Sequence, residues 1–190
     1  MLKEQIGKET ISQKNNFEDS KIMTIDEYDM ISNWISPNKK IKINLLYRAS
    51  RDGDKPKDFH DKCDNKGRTF CIFDLENWYK IGAYTSVSWK DNGGPKKDPN
   101  AFICSITNKE KYELKNKDDF ATYHCKDLGP DFYNDVRYSD IVIIDNCLND
   151  QCGIQVCTNA YSSSMKNLIG KESKTYLLLT LKDYEVYQVI

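Results

Sequence analysis

The sequence has no apolar run long enough to cross a bilayer. The longest, at residues 141–144 and 176–179, fall far short of the roughly 20 apolar residues a spanning helix needs. The N-terminal stretch MLKEQIGKETISQKN lacks the apolar core of a secretory signal, so the expected setting is cytoplasmic, or else nuclear or peripheral to endomembranes. Paired cysteines at zinc-finger spacing are also missing. The seven Cys are odd in number and scattered singly, and structural zinc sites favour two such pairs about two to four residues apart. Reduced thiols, no metal and no cofactor are therefore expected. There is no excess of one charge: 28 Lys and Arg against 29 Asp and Glu give a net charge of −1. That removes any global attraction to nucleic acid or to an anionic membrane. No Gly-x-Ser-x-Gly elbow and no phosphate-binding glycine loop occurs.

What is present is aromatic. Twelve Tyr, seven Phe and three Trp offset a hydrophobic fraction of only 39%, because each large ring buries much area. The 190 residues suit one domain, without internal repeat or dividing linker. Residues 1–20 are polar and read as a tail; residues 21–190 read as the domain. It opens on Thr24, Ile25, Asp26 and Glu27, the pattern of a capping box. Tyr28, Ile31, Trp34 and Ile35 then share one helical face, and Pro37 and Asn38 end that helix.

Ile41, Ile43, Leu45 and Tyr47 alternate with Lys42, Asn44 and Leu46 and predict a strand with one buried face. A short helix is expected over residues 57–64, with Phe59 and Cys63 on one side. Further strands are expected at 69–73, 79–87, 102–106, 112–114, 121–125, 141–144, 154–158, 176–181 and 184–189. Many short strands separated by polar turns predict a fold that is mainly β with flanking helices, a two-layer antiparallel β-sandwich.

Candidate chemistry is sparse. His60 and Cys63 are three apart on the short helix and can touch. Contact with His60 could favour a thiolate, making the pair a candidate redox site; a core role for Cys63 is the stronger reading. His124 and Cys125 are neighbours on a strand and point to opposite faces. Asp145, Asn146, Asp150 and Gly153 lack the alternating ligands of a calcium loop. Gly93, Gly94, Pro95, Lys96 and Lys97 read as an exposed loop. Arg48, Arg51 and Asp52 follow a buried strand and precede Gly53. Arginine forks pair with carboxylates, and Glu185, in phase with Tyr187 and Val189, is the natural partner. The alternative is that all four charges are solvated.

Several blocks recur in a known order. Residues 45–67 read LLYRASRDGDKPKDFHDKCDNKG. Residues 82–89, GAYTSVSW, run from Gly82 to Trp89, and residues 98–106 read DPNAFICSI. Gly129, Pro130, Asp131 and Phe132 form a fourth block, and residues 184–189, YEVYQV, a fifth. Together they resemble the TLDc domain, the TBC/LysM-associated domain of oxidation-resistance proteins. The resemblance implies a β-sandwich, a link to protection against oxidative damage, and binding to the vacuolar-type proton pump (V-ATPase). It implies no agreed catalytic mechanism. The expected function is therefore a non-enzymatic interaction module with a protein partner. The two alternatives are a thiol-based peroxide scavenger or sensor using Cys63, with His60 beside it, or another exposed Cys, and a nucleic-acid-binding stress regulator.

Overall fold

The segment TFCIFDL forms strand β2, Thr69–Leu75, and six of its seven side chains are buried. A strand covered on one face alternates, whereas one covered on both does not. The computed structural model describes residues 19–133, 139–148, 153–157, 161, 164–173 and 176–190. It places β2 in the middle of a six-stranded sheet. That sheet runs, in spatial order, β1 (Ile43–Arg48), β12 (Leu181–Val189), β2, β3 (Lys80–Thr85), β5 (Phe102–Ser105) and β6 (Glu110–Glu113). A second six-stranded sheet runs β11 (Leu177–Leu179), β10 (Ile154–Val156), β9 (Ile141–Ile143), β8 (Asp131–Phe132), β7 (Phe120–His124) and β4 (Gly94–Lys97). Neighbouring strands pair antiparallel throughout both sheets. The predicted two-layer antiparallel sandwich is the observed fold.

The described residues form two apolar cores. One lies between the sheets and joins Tyr47, Phe73, Ile81, Ile103 and Tyr184 to Phe132, Ile141, Ile154 and Val156. The other lies on the outer face of the first sheet, where Ile43, Phe70, Ile72, Tyr84, Phe102 and Tyr187 meet helix α1 (Ile25–Ile35). Tyr28 and Ile31 are the fully buried apolar residues of α1, with Trp34 and Ile35 partly buried beside them. Each buried side chain of this size contributes about 1.5–3 kcal/mol of transfer free energy. The capping box forms as expected: Thr24 accepts from the Glu27 N–H, and Glu27 accepts from the Thr24 N–H.

Three local expectations change. The alternation from Ile41 to Tyr47 does not persist, because β1 carries a bulge between Leu45 and Tyr47. A bulge adds one residue and reverses the phase of the residues beyond it. Ile43 and Leu45 therefore face α1, whereas Tyr47 faces between the sheets. The run 176–181 is not one strand. It breaks at Thr180, where the chain leaves the second sheet as β11 and enters the first as β12. The glycine–lysine stretch at 93–97 is not merely a loop: Gly94–Lys97 is the edge strand β4, paired with β7.

Three short helices complete the described residues. Helix α2, Ala49–Asp52, follows β1 directly. Helix α3, Pro56–Cys63, starts on a proline, whose missing N–H costs nothing in the first turn. Helix α4, Met165–Ile169, is capped by Ser164 and stops at Gly170 in a left-handed conformation. Among the described residues, no helix is long and apolar enough to cross a membrane.

Candidate functional site

The segment from Arg48 to Gly53 leaves the first sheet at the edge strand β1 and is fixed there by carboxylates. Register pairs Arg48 directly with Glu185 of β12. Paired residues point to the same face, and the bulge before Tyr47 is what turns Arg48 to the outer face that Glu185 occupies. Arg48 Nε lies 2.7 Å from Glu185 Oε1. Glu185 is fully buried, and a buried carboxylate needs compensating donors. It has four: Arg48 Nε and the Lys21 N–H at Oε1, and the Ser20 and Tyr187 hydroxyls at Oε2. The Arg48 guanidinium also donates to the Asp19 carbonyl. Ser20 accepts in turn from the Ile22 and Met23 N–H groups. Asp19 to Met23 are thus folded over the ion pair, so the boundary placed at residue 20 cuts through a structured turn. Residues 1–18 lie outside the described residues.

The neighbouring charges close on one another. Asp52 accepts from the Arg48 N–H and pairs with Arg51 at 2.7 Å. Burial works against the Asp52 charge, but hydrogen bonds from Arg51 and from the Arg48 backbone hold its carboxyl below the usual range. Asp183 receives the Ser50 N–H at 3.0 Å and the Ser50 hydroxyl. The Tyr47 hydroxyl donates to the Gly53 carbonyl. Gly53 sits at φ +111°, and a Cβ there would meet Asp58 Oδ2 at 2.2 Å. This loop needs glycine for both reasons. The arrangement ties β1, β12 and the chain entering α1 into one knot. It offers no unsatisfied nucleophile or base to a substrate.

The His60 and Cys63 pair does not assemble. His60 Nδ1 meets Asp64 at 2.8 Å, and Nε2 faces the carbonyls of Cys125 and Leu128, each at 3.0 Å. Neither ring nitrogen turns to the thiol. Cys63 is fully buried, and burial pushes its thiol well above the ordinary value. A protonated, inaccessible thiol is a poor nucleophile. Cys71 and Cys104 are likewise raised by burial, and Cys147 is pushed up to about 12 by the same cause. Cys125 and Cys157 are partly exposed. Cys152 and Asp150 lie outside the described residues. Among the described residues no three His, Cys, Asp or Glu side chains gather as a metal site.

Gly82 and Trp89 are packing residues. A Cβ on Gly82 would stand 2.5 Å from the Phe70 ring and 3.0 Å from Cys104 Sγ. Trp89 is buried against Phe59, His124 and Phe132, and its indole donates to Thr69 Oγ1 at 2.8 Å. Asp98 was missed as a structural carboxylate. It is buried and accepts from the Thr85 hydroxyl, from both the N–H and the hydroxyl of Ser86, and from the Asn100 N–H. It thereby joins the blocks at 82–89 and 98–106. Its position before Pro99 and Asn100, a turn signal, was the available clue. Ser20 and Asp183 were missed for a different reason: their partners lie far along the chain.

The five sequence blocks are thus the elements that meet in this architecture. A comparison with curated proteins gives no match. The family model for the TLDc domain matches residues 16–190. That span takes in the Ser20 turn, the Arg48–Glu185 pair and both sheets, and the chain belongs to the TLDc domain family.

Proposed function

We propose that this chain is a non-enzymatic TLDc interaction module that serves protection against oxidative stress by binding a protein partner, a subunit of the vacuolar-type proton pump. The observation that carries this reading is the state of the polar residues most able to do chemistry. Arg48, Glu185, Asp52, Asp98 and His60 are each engaged by groups of the fold itself. Such a rigid, internally satisfied scaffold suits presentation of a surface rather than turnover. A near-neutral total charge permits patches of both signs, which give specificity without general adhesion. Burial and raised thiol values at four of the described cysteines favour this reading over the scavenger, which needs an accessible thiolate.

The test is affinity capture from the source cells with the full chain, run beside a peroxide-consumption assay. Pump subunits are expected in the captured material, with no turnover. Thiol-dependent peroxide turnover at catalytic protein levels, with no pump subunit recovered, overturns the proposal in favour of the scavenger.

A further inference from the structure

Helix α1 is too small for the face it covers. Its 11 residues span about 16 Å and the helix is about 10 Å across. Six strands present a face about 24 Å wide. The helix shares one apolar cluster with Ile43, Phe70, Ile72, Tyr84, Phe102, Tyr187 and Val189. Toward β3, β5 and β6 it leaves a groove of about 500 Å³, within the range of ligand-binding clefts. Trp34 and Ile35 at the end of α1 form one wall, and Tyr84 and Phe102 lie at the floor. These two rings stack at 5.3 Å between centroids.

The rim is cationic. Arg68, Lys111 and Lys117 line the groove against a single carboxylate, Glu113. Glu113 pairs with Lys111 at 2.9 Å and with Lys117 at 3.0 Å. One carboxylate cannot neutralise two ammonium groups. Arg68 is exposed, and among the described residues no carboxylate stands within ion-pair distance of it. Lys111 Nζ rests 5.3 Å above the Phe102 ring, a weak hold that an incoming carboxylate can replace. The groove therefore carries local positive charge on a chain whose total is −1.

We infer that this groove binds an acidic segment of a protein partner, with carboxylates on Arg68, Lys111 and Lys117 and an apolar side chain against Trp34 and Ile35. This rests on the reading of the chain as a binding module. A peptide fits the lining better than a simple polyanion. Asn100, also in the lining, carries an amide with both a donor and an acceptor, which suits the amide groups of a peptide, whereas its acceptor is wasted on phosphate. The apolar wall likewise has no use for an inorganic anion.

The probe is an acetylated, amidated peptide in which glutamates flank a single leucine, titrated into the full chain and followed by NMR. Saturable shifts are expected at the Trp34 indole and at the amides of β6. Arg68→Glu and Lys117→Glu, both at exposed positions, are each expected to weaken binding by about tenfold or more while leaving the thermal midpoint unchanged. A peptide with lysine in place of glutamate is expected not to bind. Equal affinity for parent and variants overturns the inference, as does tripolyphosphate binding at the same signals where the peptide does not. The same variants enter the capture experiment. Peptide binding without recovered pump subunits removes the pump and leaves the groove standing. Recovered pump subunits without peptide binding remove the groove and leave the pump.

Discussion

Arg48 and Glu185 stand 137 positions apart in the chain, yet they are direct register partners on β1 and β12 and meet at 2.7 Å. Both are buried, with Glu185 the more so. Breaking a buried pair leaves one charge without compensation, at about 3–5 kcal/mol. Glu185→Ala should therefore lower the stability measured by urea unfolding by that amount, and Arg48→Ala should do nearly as much. The double variant should cost clearly less than the sum, because the two share one interaction. Strict additivity would show that the pair is not coupled.

Gly82→Ala tests the close approach of β3 to its neighbours. The added methyl would meet the Phe70 ring at 2.5 Å, Cys104 Sγ at 3.0 Å and the Cys71 carbonyl at 3.2 Å. Overpacking of this kind costs about 1–3 kcal/mol. Chemical denaturation reads it directly. Gly82→Ala combined with Cys104→Ala should recover part of the loss, because the sulfur contact is then gone.

Two buried groups pull the pH dependence in opposite directions. Burial raises the Asp131 carboxyl to about 7, with the Asp140 charge adding to it and a Ser139 hydrogen bond opposing. An unfolded Asp titrates near about 3.9, so the folded state keeps a proton the unfolded chain has lost, and stability falls as pH rises from about 4 to about 7. Burial lowers His124 to about 4, helped by Lys96 and His60. An unfolded His titrates near about 6.5, so this contribution falls as pH drops from about 6.5 to about 4. Among the described residues Asp131 Oδ1 and His124 Nδ1 also lack hydrogen-bond partners. The two slopes offset in the parent. Asp131→Asn should show stability rising with pH over this window, and His124→Gln should show it falling. Parallel curves for all three proteins, measured as urea midpoints against pH, would refute the assignment.

Thiol labelling should divide the cysteines by burial. Cys125 and Cys157 are partly exposed, whereas Cys63, Cys71, Cys104 and Cys147 are buried. A disulfide reagent at neutral pH, followed by peptide mapping, should modify the first two quickly. The other four should react only through opening of the fold, at rates that climb with added urea. His60→Ala should not speed modification of Cys63 beyond what its effect on stability explains. Rapid labelling of Cys63 in the native protein would contradict the packing described.

Much of this architecture was legible in the residues themselves. The capping box at Thr24 and Glu27, most of the short strands, among them those at Phe102 and Tyr112, and the ordered family blocks are local patterns that appear where they were expected. Periodicity reports which residues share a face as long as the strand is regular. The bulge after Leu45 has no such signature, and it alone decides that Arg48 faces Glu185. The break at Thr180 was hidden for a related reason: Leu177–Leu179 and Leu181–Val189 are both apolar locally, and only pairing with β10 in one case and β2 in the other assigns them to different sheets. The fate of Cys63 was undecided by spacing, since three residues along a helix permit contact with His60. The distant carbonyls of Cys125 and Leu128 take that ring instead. Composition and local pattern determined that this chain folds as a β-sandwich with a charged surface. Which charges are buried, which are open and where a groove remains were decided by long-range pairing, because burial is a property of what packs against a residue and not of the residue alone.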